Sequence, residues 1–468
     1  MSVNLVGEGM DNLFTIILAA GQGTRMKSKK YKVLHEIAGI SLVEHVVREV
    51  KKLFTDKIII VVGHGAKEVQ DQLGNSYLYA LQEKQLGTGH ATLQAKEILQ
   101  NERGTTLVLY GDTPLITAKT LQEMLSFHKE NKNVATVLTT DLSDPTGYGR
   151  IVRRGDEIER IVEQKDATEE EKKIKEVNTG IYFFDNQALF RALEKVTNDN
   201  AQGEYYLTDC IKILKNEGNK VGLYKTDNYQ ETLGINDRVQ LAQAEEIMRD
   251  RILKEHMLNG VTIIDPKSTY IEKDVEIGQD SVIYPGSYLR KKTIIGTNCV
   301  VGPNVDLSNV LLGENSQITH SVAIDSKFGN FVVVGPFAYI RPNSEIADYV
   351  KIGDFVEIKN TIVGEGTKIP HLSYIGDADV GRNVNIGCGS ITVNFNGFTK
   401  NRTIIEDKVF VGCNTNLIAP IRIEESAYIA AGSTLTDRVP AKSLAIARAK
   451  QVNKEGYVDK IKEKYNQD

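Results

Sequence analysis

Residues 271–301 read IEKDVEIGQDSVIYPGSYLRKKTIIGTNCVV, and an aliphatic side chain returns at every sixth position: Ile271, Ile277, Ile283, Leu289, Ile295 and Val301. Glycine often follows, as in Ile277-Gly278 and Ile295-Gly296. A second run with this spacing passes through Val322, Phe328, Val334, Ile340, Ile346, Ile352 and Ile358, and a third through Ile405, Val411, Leu417, Ile423, Ile429 and Leu435. Six is a multiple of the strand period of two and not of the helical 3.6, so one inward aliphatic per six residues describes short strands that turn corners. Such a coil cannot bury its apolar face singly; coils must stack, and a binding surface forms along their outside. The spacing predicts a β-solenoid over the second half of the chain, against the alternative of a β-sandwich whose isoleucines fall in phase.

With 468 residues the chain exceeds what one hydrophobic core supports, so at least two domains are expected. A hydrophobic content of 41% and a charged content of 25% are those of ordinary soluble globular protein. The net charge of −5 supplies no basic field for nucleic acid or an anionic membrane, so neither partner is expected and an anionic ligand must be held by local Lys and Arg. Cys210, Cys299, Cys388 and Cys413 are scattered without a CxxC pair, which fits a reducing compartment better than a disulfide framework or structural zinc. Residues 1–12 are polar and acidic, and no apolar run reaches the length of a membrane span. The expectation is a cytoplasmic protein with a flexible extension over 1–12.

From Leu13 the chain alternates strand-like and helical stretches: FTIILAA, VEHVVREVKKLF, KIIIVVG and AKEVQDQL. Short continuous runs of Ile and Val read as parallel strands covered on both faces. Ligands of such sheets sit at the carboxyl ends of the strands. The first loop there is Leu18-Ala19-Ala20-Gly21-Gln22-Gly23-Thr24-Arg25-Met26, with Lys32 beyond it. Small residues let its backbone approach phosphate oxygens, and Arg25 and Lys32 add fixed positive charge. The loop is neither a Walker A sequence nor a dinucleotide fingerprint. Further on, TTLVLYGD at 105–112 is a buried strand ending in an acid, and Asp112 there can hold Mg²⁺ with few protein ligands when phosphates supply the rest. The charged run RVQLAQAEEIMRDRILKEHML at 238–258 carries apolar residues at helical spacing and reads as one linker helix.

LAAGQGTRM at 18–26 is followed in order by LQEKQLGTGHA at 81–91, YGDTPL at 110–115, DPTGYGRI at 144–151, IVEQKDA at 161–167, NTGI at 178–181 and NAQGEYYLTD at 200–209. This series resembles the signature of sugar-1-phosphate nucleotidyltransferases, and the six-residue ladder resembles the left-handed parallel β-helix of hexapeptide-repeat acyltransferases. Together the whole chain is similar to the bifunctional enzymes that make UDP-N-acetylglucosamine. The resemblance implies an α/β Rossmann-like uridylyltransferase domain over 13–237, the linker helix over 238–258, and a left-handed β-helix N-acetyltransferase domain with a C-terminal tail over 259–468. It implies acetyl transfer from acetyl-CoA to glucosamine-1-phosphate, then Mg²⁺-dependent uridylyl transfer from UTP to N-acetylglucosamine-1-phosphate with pyrophosphate leaving. It further implies that the product feeds peptidoglycan and other envelope polymers, and that three chains pack side by side as a homotrimer.

By the same resemblance, Arg25 and Lys32 hold the phosphates, Asp112 and Asn236 hold Mg²⁺, and Leu18, Ala19, Ala20, Gly21 and Gly111 border the nucleotide. Gln82, Gly87 and Thr88 read the uracil, and Tyr110, Gly149, Glu163 and Asn178 contact the ribose or the sugar. One departure stands beside the lysine, where Lys29-Lys30-Tyr31-Lys32 replaces the family's Leu-Pro before it. Loss of that proline is expected to free the backbone angle and leave several lysines competing for the phosphate.

In the second half the ladder slips: Ile358 is followed by Val363, Ile369, Ile375, Val380 and Ile386, and the regular count resumes at Ile405. Insertions in a solenoid fall on its surface, often at the binding face. Acetyl transfer to an amine needs a base near neutral pKa, and His371 within PHLSYIGD at 370–377 fits. The resemblance gives the glucosamine-1-phosphate site to Arg341, Lys359, Tyr374 and Asn385. It gives acetyl-CoA to Cys388, Asn394, Phe395, Cys413, Ala431 and Arg448, with Lys400 as a further candidate. Cys388 stands where the family commonly has alanine, Phe395 where it has tyrosine, and Cys413 where it has serine. A lost hydroxyl and a weak thiol donor predict rearranged CoA contacts. Two other readings share the architecture: a single-activity nucleotidyltransferase with a regulatory β-helix, and a non-catalytic assembly subunit. His371, Tyr374 and Asn394 speak against the first, and Arg25, Lys32 and Asp112 against the second.

Overall fold

The computed structural model describes residues 12–465, so residues 1–11 of the expected extension lie outside the described residues. Its first strand, Leu13–Ala19 (β1), is buried along its whole length. Phe14, Ile16 and Leu18 pack into one core with Ile59, Val108 and Tyr182, while Leu13, Ile17 and Ala19 pack into another with Val46, Leu107 and Phe183. Both faces are covered, which is why the strand reads as a continuous apolar run with no polar alternation. The remaining strands are β2 (Lys57–Val62), β3 (Leu78–Leu81), β4 (Thr105–Tyr110), β5 (Ala135–Asp141), β6 (Gly149–Arg154), β7 (Glu157–Val162), β8 (Glu176–Asp185) and β9 (Val221–Lys225). They form one nine-stranded sheet in the order β9-β5-β8-β4-β1-β2-β3, with β6 and β7 hung on β8.

The sheet is not all parallel, because β8 runs antiparallel to both β4 and β5. A strand buried on both faces has the same apolar pattern in either direction, so the sequence carries no sign of this reversal. The parallel pairing of β1 with β4 sets Leu18 opposite Tyr110. The glycine-rich loop and Gly111-Asp112 therefore leave the sheet at the same edge.

The chain divides into two compact units at Met248/Arg249, inside the helix Arg238–Leu258. The second unit is a parallel β-helix of short strands. Equivalent positions meet once per coil, as in Tyr270 opposite Tyr288 and Asp306 opposite Val322. Ile271, Leu289, Leu307, Ala323, Ile340, Ile358 and Ile375 are all buried and lie one above another through successive pairings. Truncating such a buried isoleucine to alanine costs about 2–5 kcal/mol. Asparagines turn many corners, with Asn298, Asn304, Asn315, Asn343, Asn360, Asn383 and Asn414 at φ between 48° and 62°. Asparagine is among the residues that tolerate this left-handed region.

Two expected rungs differ. Val322 is exposed and Ala323 takes the inward place, because Ala323 and Phe328 are successive inward rungs of one strand only five residues apart, so a strict count of six back from Phe328 lands one residue early. Ile277, on one of the first coils, is only half-buried. The later slip is an added loop: the coil from Ile391 to Asn416 is longer than the one before it, from Tyr374 to Ile391. Residues 394–402 leave the coil there between the strands Ile391–Val393 and Thr403–Ile405. Among the described residues no helix is long and apolar enough to cross a membrane.

Candidate active sites

Two clefts open at the carboxyl ends of β1 and β4, and Tyr110 and Asp112 line both. The first is bordered by Leu18, Ala19, Ala20, Gly21, Lys32, Gln82, Gly87 and Thr88, and the second by Arg25, Gly149, Glu163, Asn178 and Asn236. Gly111 lies beneath the shared wall, where a Cβ would meet Ala19 and Val43 at 3.3 Å. Arg25 is exposed at the rim.

The Lys32 side chain crosses the loop over Gly23, which sits at φ 65° and has no room for a Cβ beside the lysine. Its ammonium donates to the Asp112 carboxylate and, at 3.1 Å, to Asn236 Oδ1. A backbone bond from Ile235 N–H to the Asp112 carbonyl, 2.9 Å long, ties the segment of Asn236 to that of Asp112. A carboxylate and an amide oxygen already sharing one cation are the sparse donor set that Mg²⁺ takes when phosphates and water complete its shell. No group of three or more His, Cys, Asp or Glu able to hold a metal occurs among the described residues.

Tyr31 answers the proline question. Its backbone sits at φ −58°, within the range a proline would impose, and its ring is packed on Gly65 and against the core that includes Val33. Lys30 is drawn aside to Glu36 at 2.7 Å, which leaves Lys32 as the lysine in the cleft.

The recognition residues are held by one another. Gln82 is buried, and its Nε2 donates to the Gly87 carbonyl at 3.2 Å and lies 3.0 Å from His90 Nδ1. Thr88 Oγ1 accepts from Leu207 N–H at 3.1 Å. In the second cleft, Asn178 donates to the Tyr182 hydroxyl at 2.7 Å and accepts from Gly180 N–H at 3.1 Å. A Cβ on Gly149 would meet Glu163 Oε1 at 3.5 Å and the Asn178 Cβ at 3.6 Å, so these three are neighbours. Burial is the chief reason that the Glu163 carboxyl titrates above its usual range, opposed by a hydrogen bond from Thr208. Burial, with Glu163 and Asp112 nearby, also pushes the Tyr110 phenol upward.

In the second unit, the strands Lys351–Asp354 and Lys368–His371 pair in register, with Asp354 opposite His371. The His371 Nδ1 lies 2.5 Å from Asp354 Oδ1. A carboxylate only accepts, so Nδ1 carries the hydrogen, and in the neutral imidazole the lone pair is on Nε2. The bond from His371 is the main reason that Asp354 titrates below its usual range. The stabilisation linked to that carboxylate is present above the ordinary carboxylate pKa and is lost as pH falls through the lowered value.

Asp377 ties the neighbouring groups together. It is buried and accepts from Lys359 Nζ at 3.0 Å, from Asn360 Nδ2 at 2.6 Å and from Asn394. Asn394 Nδ2 also donates to the Tyr374 hydroxyl at 3.2 Å. Burial alone would raise the Asp377 carboxyl, but these bonds together hold it below the usual range. Arg341 donates to Glu357 at 2.8 Å. The strand just before it pairs Ile340 with Ile358, and Arg341 N–H donates to the Ile358 carbonyl at 2.8 Å, which puts Arg341 one coil from Lys359. Asn385 is elsewhere, in register with Lys368 and Phe410 in a different sheet from Tyr374.

Cys388, Cys413 and Ala431 follow one another up a corner, through bonds from Asn414 N–H to the Cys388 carbonyl at 2.7 Å and from Gly432 N–H to the Cys413 carbonyl at 2.8 Å. Arg448 reaches the top of this column, its Nη1 donating to the Ala431 carbonyl at 3.0 Å. Phe395 is exposed on the 394–402 loop, bridged to Lys400 across it.

Residues 14–234 match the family model for nucleotidyl transferase, and residues 274–307 and 325–360 match that for bacterial transferase hexapeptide (six repeats). The chain is 58% identical over 452 residues to the bifunctional protein GlmU of Geobacillus thermodenitrificans, covering 96% of this chain and 98% of that one. It is 57% identical over 456 residues to the protein of the same name from Bacillus velezensis, covering 97% of this chain and all of the other. The chain belongs to the bifunctional GlmU family. It is therefore a bifunctional transferase joining a nucleotidyltransferase domain to a hexapeptide-repeat domain, and the two readings of a single-activity or non-catalytic chain fall away.

Within this GlmU-family chain several site residues escape sequence reading. Asp354 carries no motif; its signal is the coil length that sets it opposite His371. Asp377 lies in a quoted motif, yet only its burial shows it to be the hub. Gln85 donates to the Ala20 carbonyl at 2.5 Å and thereby braces the first loop. Gly180, at φ 82°, has the Tyr110 ring packed where a Cβ would stand. Gly180→Ala is expected to cost about 1–3 kcal/mol through strain at a left-handed residue, read as an earlier thermal transition of the first unit.

Proposed function

We propose that the two units divide the synthesis of UDP-N-acetylglucosamine, the second acetylating glucosamine-1-phosphate and the first uridylylating the product. The observation that carries the reading is the pair of oxygens from Asp112 and Asn236 converging on one cation beside a glycine-rich loop. In the uridylyl half, a phosphate oxygen of N-acetylglucosamine-1-phosphate attacks the α-phosphorus of UTP and pyrophosphate leaves. The attacking group is already anionic near neutral pH, so positioning and charge neutralisation do the work, and no strong protein base is needed. Asp112 and Asn236 would hold Mg²⁺, which when bound would supply Lewis-acid polarisation of the phosphates. Lys32 and Arg25 neutralise charge on the phosphate oxygens. Gln82, Gly87 and Thr88 orient the base, and Tyr110, Gly149, Glu163 and Asn178 orient the sugars.

In the acetyl half, the amine of glucosamine-1-phosphate attacks the thioester carbonyl of acetyl-CoA, His371 Nε2 takes the amine proton, and the CoA thiolate leaves. Asp354 holds the imidazole in the tautomer that exposes that lone pair. Arg341 and Lys359 bind the sugar phosphate, while Tyr374 and Asn394 orient the amine. Cys388, Cys413, Ala431 and Arg448 line the path of acetyl-CoA, with Phe395 at its edge. Asn385 lies apart from Arg341 and Lys359 within one chain, which supports a homotrimer in which a neighbouring copy completes each acetyl site.

The metal assignment is tested by chelation. Excess EDTA is expected to abolish pyrophosphate release from UTP and N-acetylglucosamine-1-phosphate, with recovery on adding Mg²⁺, while thiol release from acetyl-CoA continues. Uridylyl transfer that persists in EDTA would remove the metal from Asp112 and Asn236.

A further inference from the structure

We propose that Cys388 and Cys413 are a vicinal dithiol that peroxide closes to a disulfide, reversibly shutting acetyl transfer. The shut-off rests on the acetyl-CoA reading above; the cross-link does not. The strands Asn385–Ile386 and Phe410–Val411 pair in parallel with Asn385 opposite Phe410 and Ile386 opposite Val411. The bond from Asn414 N–H to the Cys388 carbonyl carries the alignment on, setting Cys388 beside Cys413. Parallel neighbours lie roughly 4.7–4.9 Å apart, inside the range of about 4.4–6.8 Å that a disulfide spans between Cα atoms.

Nothing intervenes between the two coils. A Cβ on Gly387 would come within 2.5 Å of the Cys413 nitrogen, so glycine is what allows the approach. Gly387 and Gly412, each just before a cysteine, leave the backbone free to adjust as the sulfurs close. Cys413 is exposed and Cys388 partly so, whereas Cys210 and Cys299 are buried and out of reach of an oxidant. The pair also adjoins the proposed base: Gly389 N–H donates to the Leu372 carbonyl at 2.9 Å, which places the Cys388 segment one coil from His371-Leu372.

The Cys413 thiolate attacks one oxygen of hydrogen peroxide, forming a sulfenic acid and releasing hydroxide that becomes water. The Cys388 thiolate then attacks that sulfur, forming the S–S bond and expelling the second oxygen as water. Two thiols lose two electrons and two protons, and the peroxide is reduced to two waters. Small-molecule thiols reverse the bond by exchange, as a transient disulfide in a reducing compartment requires.

The test treats the full-length chain with hydrogen peroxide, alkylates the remaining thiols, and maps non-reduced peptides by mass spectrometry alongside assays of both activities. The expected result is one cross-link, 388 to 413, with Cys210 and Cys299 unlinked. Acetyl transfer falls roughly tenfold, uridylyl transfer is steady, and dithiothreitol restores the loss. In Cys413→Ser the cross-link is absent, and peroxide leaves that variant's own acetyl rate unchanged. Recovery of both thiols in alkylated form after peroxide overturns the proposal. A cross-link with undiminished acetyl transfer overturns the shut-off and takes this corner off the acetyl-CoA path. A cross-link in a chain with no acetyl transfer before oxidation overturns the acetyl reading alone and upholds the dithiol.

Discussion

His371→Ala is expected to lower acetyl transfer by about 10²–10⁴-fold, the usual worth of a general base, and to leave uridylyl transfer at the parent rate. Asp354 and His371 stand opposite each other on paired strands. The carboxylate accepts the hydrogen bond from Nδ1–H, and in the neutral imidazole Nε2 can receive a proton from the attacking amine. Asp354→Asn refines the expectation. An amide can present its NH₂ to Nδ1 and put the hydrogen on Nε2, the wrong tautomer for a base, so kcat should fall roughly 10–10²-fold. Since Asp354 reaches substrate only through His371, KM for glucosamine-1-phosphate should hold. Thiol release from acetyl-CoA measures both variants. Acetylation by His371→Ala at near the parent rate would remove the histidine from its role, and a raised KM with unchanged kcat would recast Asp354 as a substrate contact.

Lys32→Ala is the mirror experiment, with an expected loss of about 10²–10³-fold in pyrophosphate release and no change in thiol release. Lys32 is the cation that Asp112 and Asn236 share, and the loop at Gly23 is shaped around its side chain. On the proposed reading, removing it leaves Arg25 as the remaining side-chain cation for the phosphates. Lys30 is engaged by Glu36 and is not positioned to substitute. Equal loss of both activities would mean that the substitution damages the chain as a whole and would refute the assignment.

These two sites were legible in the sequence to different depths. The six-residue ladder exposed the solenoid because each short strand sends one aliphatic inward. It misjudged Val322, because the inward rungs Ala323 and Phe328 on that strand are five residues apart and not six. The strands of the first unit were readable from Ile and Val runs, but the reversal of β8 was not. Lys32, Asp112 and Asn236 come from distant segments and could be joined only through the motif resemblance; the sheet edge then explains why they meet. Asp354 and Asp377 acquire meaning only when stacking sets residues a full coil apart side by side. Asn385 shows the opposite limit, since the resemblance groups it with residues that a single chain keeps in another sheet.

The central claim is that one chain carries both reactions in sequence. Its most direct test supplies glucosamine-1-phosphate, acetyl-CoA, UTP and Mg²⁺ to the purified protein and follows free thiol, pyrophosphate and UDP-N-acetylglucosamine together. The expected result is thiol release followed by equal amounts of pyrophosphate and nucleotide sugar. Thiol release without the nucleotide sugar, or pyrophosphate release without acetylation, would contradict it.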